Sequence, residues 1–222
     1  MLHLGQRRIL HQIDPESAKS SEFQVQILIM SHYPLASFIK SANLPKQFVP
    51  DEGREVAFAG RSNAGKSSAI NAIVNRRGFA KTSKSPGRTQ LINFFTLREE
   101  QRLVDLPGYG YAKVAGSMKD HWRSLMGSYF NERQSLSGLF VVVYIRRSLG
   151  DFDWQMVNWG HEVDCPVHIL LSKADKLKRG PAKSVLLQVE KELDGAASVQ
   201  LFSSLKKDGV DQARVALDKF VS

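Results

Sequence analysis

Cysteine is nearly absent from the 222-residue chain. The one present, Cys165, excludes an internal disulfide framework and fits a reducing compartment such as the cytoplasm. Long hydrophobic runs are lacking too. The longest, Leu139 to Ile145, is far short of the ~20 residues that a membrane-spanning helix needs, so no such helix and no membrane partner are expected. The histidines (His3, His11, His32, His121, His161 and His168) are scattered without ligand spacing, and no serine–histidine pair or paired carboxylates stand out. Acidic residues are the minority: 22 Asp and Glu against 31 Lys and Arg, a net charge of +9. That imbalance is local, since residues 60–104 alone carry nine basic and two acidic side chains. Such a concentration, with Arg76, Arg77, Lys81, Lys84 and Arg88 on or beside one loop, points to a polyanionic partner, a nucleotide or a nucleic acid.

With 42% hydrophobic residues, a chain of this length buries roughly 70% of its unfolded surface and needs no metal or disulfide staple. Residues 1–29 mix charges without a helical period and read as a poorly structured leader, followed by an N-terminal segment at 30–53. Within that segment PLASFIKSANL (34–44) suggests a short helix. From Arg54 to Ser222 strands and helices alternate. EVAFAG (55–60), LFVVVYI (139–145), VHILLS (167–172) and VQLFSS (199–204) are short continuous apolar strands of the kind covered on both faces. LINFFTL (91–97) and RLVDL (102–106) read as a hairpin. Helical patterns occupy 66–75, 117–133, 151–163, 181–193 and 209–221, and Phe152, Met156, Trp159 and Val163 form a core stripe rather than a cofactor box. The alternation implies an α/β fold with a mostly parallel six-stranded sheet, one antiparallel hairpin strand, helices on both faces and ligands at the carboxyl ends of the strands.

Gly60-Arg61-Ser62-Asn63-Ala64-Gly65-Lys66-Ser67 fits G-x-x-x-x-G-K-[ST] between a strand and an amphipathic helix. Glycines let successive N–H groups point at phosphate oxygens, and the helix N-terminus, which includes Ser68, adds its positive dipole end. Lys66 supplies a mobile charge for the terminal phosphates, and the Ser67 hydroxyl can ligate Mg²⁺. Asp105-Leu106-Pro107-Gly108 follows at another strand end. Its carboxylate can hold the metal's shell from the opposite side, through water, and its glycine N–H can report the terminal phosphate. In the basic stretch between the two motifs, Thr89 of Gly87-Arg88-Thr89 is a candidate second hydroxyl ligand, with Thr82 as an alternative.

Ser172-Lys173-Ala174-Asp175 ends a third strand. A carboxylate accepts from guanine's ring N–H and exocyclic amine together, and adenine offers no matching donors. The Lys173 stem can cover the base. Phe202-Ser203-Ser204 ends a fourth strand, where a backbone N–H can reach the guanine carbonyl. The nearest rival readings are a P-loop kinase transferring phosphoryl to a small acceptor, and an rRNA-binding module with vestigial nucleotide binding.

In these stretches, GREVAFAGRSNAGKSSAINAI, SPGRTQLINFF, LVDLPGYGYAKV, SKADKL and FSSLKKDGVD, the sequence resembles the EngB/YsxC (YihA) family of ribosome-biogenesis P-loop GTPases with a Ras-like G domain. The resemblance spans residues 45–222. It implies GTP and Mg²⁺ binding, slow hydrolysis to GDP, and a monomer working on large-subunit precursors and rRNA. Two positions depart from the family pattern: Ser172 stands where Asn or Thr is usual, and Tyr144 where Asp is common. Tyr109 follows D-x-x-G where many switch GTPases place a water-orienting Gln, which implies a low intrinsic rate. Asn63 lies where potassium-activated relatives carry an asparagine that helps hold K⁺. Met30 begins a leader of the family's usual length, so residues 1–29 read as an upstream extension.

Overall fold

Among the described residues, seven strands form one sheet in the spatial order β1 (Ser37–Ala42), β3 (Ile92–Arg98), β4 (Gln101–Asp105), β2 (Arg54–Gly60), β5 (Leu136–Tyr144), β6 (Val167–Ser172) and β7 (Ser198–Leu201). This computed structural model describes residues 32–81, 91–110 and 116–222. The readings made of residues 1–29, Met30, Thr82, Lys84, Gly87, Arg88 and Thr89 lie outside the described residues. β2 is parallel to β4 and β5, and β5–β6–β7 continue parallel; β3 is antiparallel to both β1 and β4. Helices α1 (Lys66–Val74) and α5 (Val210–Val221) cover one face, while α2 (Gly116–Glu132), α3 (Asp151–Glu162) and α4 (Arg179–Leu193) cover the other. The expected α/β P-loop architecture is present, with one strand more than the six expected.

That extra strand corrects the helix expected at 34–44. An eleven-residue helix without a capping box is marginal in water, whereas β3 would otherwise leave an unpaired edge. Residues 37–42 pair along β3 instead, and the Phe38 ring meets Phe95 edge-on at 5.5 Å. Propensity yields here to a tertiary partner.

β5 shows why the central strands carry no polar alternation. Leu139, Val141 and Val143 enter the layer under α2, α3 and α4, while Phe140 and Val142 enter the layer under α1 and α5, as the two-residue period of a strand requires. Gly138 permits close approach of α5, because a Cβ there would fall 2.3 Å from the Phe220 ring. Met156 is fully buried, with Phe152, Trp159 and Val163 packed beside it. Cys165 is buried at the entrance to β6, and burial pushes its thiol up to about 12.

At the amino-terminal pole of the sheet, Glu55 is fully buried. It accepts from Arg102 Nε at 2.8 Å, Arg133 Nε at 3.0 Å and the Tyr129 hydroxyl at 3.3 Å. This ties β4 and the end of α2 to β2. Beside it Asp51 accepts the backbone N–H groups of Gln134 and Ser135, each at 2.9 Å. Burial opposes ionisation of Asp51, but these bonds together with Arg133 hold its carboxyl below the usual range.

Candidate functional site

The opposite pole, at the carboxyl ends of β2, β4, β5 and β6, gathers the motifs. β2 runs into the loop Gly60–Ser67, where Asn63 (φ +64°) and Gly65 (φ +106°) take left-handed conformations that curl the backbone ahead of α1. Gly60 is required by proximity, since a Cβ there would lie 2.8 Å from the Val142 carbonyl oxygen. The Lys66 ammonium contacts Asp105 Oδ1 across the 39 residues that separate them. Asn93 Nδ2 reaches the other carboxylate oxygen at 3.5 Å, and Asn93 in turn accepts from Ser41 Oγ at 2.6 Å. The Ser67 hydroxyl donates to the Lys81 carbonyl at 3.3 Å. Asn71 grips Ala80 in both directions, at 3.0 and 2.7 Å, which fixes where the basic segment leaves α1. Neither Asn71 nor Asn93 stood out in the sequence, because each acts through a backbone or side-chain partner that spacing does not reveal.

The D-x-x-G turn lies against the phosphate loop. Leu106 N–H donates to the Phe58 carbonyl at 3.0 Å, Ser62 N–H to the Tyr109 carbonyl at 3.0 Å, and Tyr109 N–H to the Gly60 carbonyl at 3.4 Å. From α2, Trp122 Nε1 donates to the Pro107 carbonyl at 3.4 Å. The Tyr109 side chain turns inward. It is buried, stacks on Phe152 at 5.7 Å, and donates its hydroxyl to Asp153 Oδ1 at 2.7 Å. Burial, with Asp153 adding to it, raises this phenol well above 10, so it stays protonated.

The two segments proposed to hold a base, 172–175 and 202–204, meet the phosphate loop and each other. Ser172 Oγ donates to the Ala64 carbonyl at 2.5 Å, and Lys173 Nζ to the Asn63 carbonyl at 2.8 Å. Serine at 172, where Asn or Thr is usual in the family, therefore supplies a link to the phosphate loop. Asp175 Oδ1 accepts from Ser203 Oγ at 2.6 Å. Of the backbone donors near the base site, Phe202 N–H is used by Leu171, Ser203 N–H by Asp208 and Ala174 N–H by Phe202.

Of the basic residues expected to meet a polyanion, Arg76 is committed within the fold. Its guanidinium instead bonds the Ala36 and Pro34 carbonyls and so secures the approach to β1. Arg77 and Lys81 are exposed.

Comparison with known proteins agrees with this geometry. A family model described as 50S ribosome-binding GTPase matches residues 55–173. A Vibrio parahaemolyticus protein named probable GTP-binding protein EngB is 50% identical over 190 residues, 84% of this chain and 87% of that protein. One of the same name from Hydrogenovibrio crunogenus is 50% identical over 192 residues, 85% and 91% of the two chains. Among solved structures, a probable GTP-binding protein EngB aligns with a TM-score of 0.61 at 18% identity, covering 75% of this chain and 98% of that one. Aquifex aeolicus Era bound to GDP.AlF4- aligns with a TM-score of 0.59 at 16% identity, covering 77% and 57%. At such identities the solved structures speak for the fold alone.

Proposed function

Because the chain belongs to the EngB family of GTP-binding GTPases, which hydrolyse GTP to GDP and phosphate, we propose that it is a slow cytoplasmic switch that acts, as a monomer, in assembly of the large ribosomal subunit. The observation that carries the guanine part is the pair of bonds from Ser172 and Lys173 to the Ala64 and Asn63 carbonyls. They make base site and phosphate site one rigid unit, as a ligand spanning both requires.

In this reading the N–H groups between Gly60 and Ser68, apart from those of Ser62 and Ala64, which are committed within the fold, cradle the phosphates, and Lys66 leaves Asp105 for the terminal phosphate. Gly108, in the turn that Trp122 holds at Pro107 and the phosphate loop holds at Tyr109, reads that phosphate. Asp175 takes guanine's two donors. Among the 202–204 backbone amides, that of Ser204 is the donor for the base carbonyl, since those of Phe202 and Ser203 are already committed. The donor set suits Mg²⁺, which prefers a few hard oxygens plus phosphates and waters. Ser67 and Thr89 would hold it directly and Asp105 through water, and when bound it neutralises charge on the phosphates. The Tyr109 hydroxyl faces Asp153, so the side chain after D-x-x-G does not orient water. Asn63 would hold a monovalent cation, K⁺ in preference to Na⁺, that would supply part of the missing charge, which predicts faster turnover in KCl than in NaCl.

The ribosomal role draws on the family's description and on the basic segment. Arg77 and Lys81, with Lys84 and Arg88, are the charges proposed for rRNA. The test is co-sedimentation with large-subunit precursors in GDP against a non-hydrolysable GTP analogue, across a salt series. Binding should favour the GTP analogue and fall steeply with salt as counterions are released, and neutralising Arg77 and Lys81 together should flatten that slope. Binding that ignored the nucleotide would favour a constitutive RNA-binding module, and no binding in either state would remove the ribosomal role.

A further inference from the structure

Tyr144 belongs to none of the nucleotide motifs, yet it stands where they converge. It ends β5 opposite Ser172 of β6, at the point where the base loop begins. Its backbone is fixed on both sides: Ile145 N–H donates to the Ser172 carbonyl at 3.0 Å and Arg147 N–H to the Tyr144 carbonyl at 2.8 Å.

Lys173 takes a left-handed conformation, φ +56°, which sends its side chain back toward the phosphate loop. The stem passes over Gly65, where a Cβ would lie 3.6 Å from Lys173 Cε. The ammonium then has two partners. It donates to the Asn63 carbonyl at 2.8 Å and lies 5.0 Å from the centre of the Tyr144 ring. Beneath this contact is a cavity of about 180 Å³, lined by Asn63, Tyr144, Arg147, Asp153 and Lys173 among others.

We propose that Tyr144 is a positioning residue for guanine nucleotide binding, its ring seating the Lys173 ammonium so that the lysine stem is already laid out where the base will rest. This rests on the reading of Lys173 as the residue that covers the base. A free lysine side chain carries substantial rotamer entropy, which nucleotide binding would otherwise have to overcome. The hydrogen bond to Asn63 fixes the distance of the ammonium from the phosphate loop but not its rotation about that contact. The face of the aromatic ring, attractive to a cation within ~6 Å, supplies the second point. Without the ring, the ammonium can drop into the adjoining cavity and draw the stem off the base plane.

The test is titration of a fluorescent GDP analogue into a double-mutant cycle. Tyr144→Leu should weaken binding roughly threefold to thirtyfold, the span of a half-exposed to a desolvated cation–π contact. Tyr144→Phe, which keeps the ring, should bind within about twofold of the parent. Tyr144→Thr carries the same expectation as leucine and serves if leucine disturbs the strand end. In a Lys173→Met background, which keeps a stem and removes the charge, Tyr144→Leu should cost nothing further. Leucine binding as tightly as phenylalanine would overturn the proposal, and so would a leucine penalty undiminished in the Lys173→Met background. Lys173→Ala separates this from the reading beneath it. If that variant binds GDP like the parent, the base site itself is misassigned. If it binds weakly while Tyr144→Leu does not, only the role of Tyr144 falls.

Discussion

Tyr109, directly after the D-x-x-G turn, donates its hydroxyl at 2.7 Å to Asp153 in the first turn of α3. The other oxygen of Asp153 accepts the Gly150 N–H at 2.9 Å, so one buried carboxylate caps a helix and anchors the turn that faces the phosphates.

Tyr109→Phe should therefore act on stability and not on chemistry. It leaves a carboxylate oxygen buried without its donor, a loss of about 1–3 kcal/mol. Urea unfolding should register that loss, while single-turnover GTP hydrolysis by the folded variant stays at the parent rate. A collapse in hydrolysis with unchanged stability would mean that the phenol works on the nucleotide.

Asp175→Asn should exchange guanine for xanthine preference. Ser203 holds Oδ1 at 2.6 Å, which orients the new amide with its oxygen on that bond and its NH₂ toward guanine's exocyclic amine. Donor then faces donor, and guanine affinity should fall at least roughly tenfold to a hundredfold. Xanthine carries a carbonyl there and restores the pairing. Competition of GDP against xanthosine diphosphate reads the outcome, and retained guanine preference would show the pocket to be elsewhere.

Glu55→Gln should be among the most destabilising single substitutions at the far pole. The carboxylate is the shared acceptor of Arg102, Arg133 and Tyr129, and breaking a buried ion network typically costs about 3–5 kcal/mol. Guanine nucleotide affinity of the folded fraction should be unchanged, since the network lies at the opposite end of β2. Denaturant melts with and without GDP separate the two effects.

His168 gives the fold a pH dependence of definite sign. The ring is buried between Ser198 Oγ at 2.7 Å and Gln200 Oε1 at 2.9 Å. Burial lowers its pKa below the usual 6.5, with the Gln200 bond opposing. Above about pH 6.5 both folded and unfolded states are neutral and the contribution is complete. As pH falls from there through the lower folded value, the unfolded chain takes up a proton that the native state resists. Stability should then drop by up to ~1.4 kcal/mol per pH unit. Urea midpoints measured from about pH 7.5 to 5 should show this slope, and His168→Gln should flatten it.

The sequence disclosed the parts of this molecule that are local. Continuous apolar runs marked the central strands because both faces of the sheet are covered, and Gly60 and Gly65 marked the phosphate loop because its backbone geometry demands them. What stayed hidden depends on partners distant in the chain. The 34–44 segment pairs with β3 some fifty residues onward, Arg76 with carbonyls forty residues back, and Glu55 with arginines near 100 and 130. The direction of the Tyr109 side chain likewise depends on α3 providing Asp153. Motif spacing picked out the candidate segments, and only the folded layers revealed what holds them still.

Cys165 turns the molecule into its own unfolding sensor. With burial pushing the thiol up to about 12, the native protein carries almost no reactive thiolate at neutral pH. Alkylation must therefore wait for β6 and its surroundings to open, and in the limit of rapid reclosing the labelling rate reads out the opening equilibrium. With no second cysteine in the chain, mass spectrometry after a maleimide pulse would follow how GDP, GTP analogues and Mg²⁺ tighten the domain, with no engineered probe.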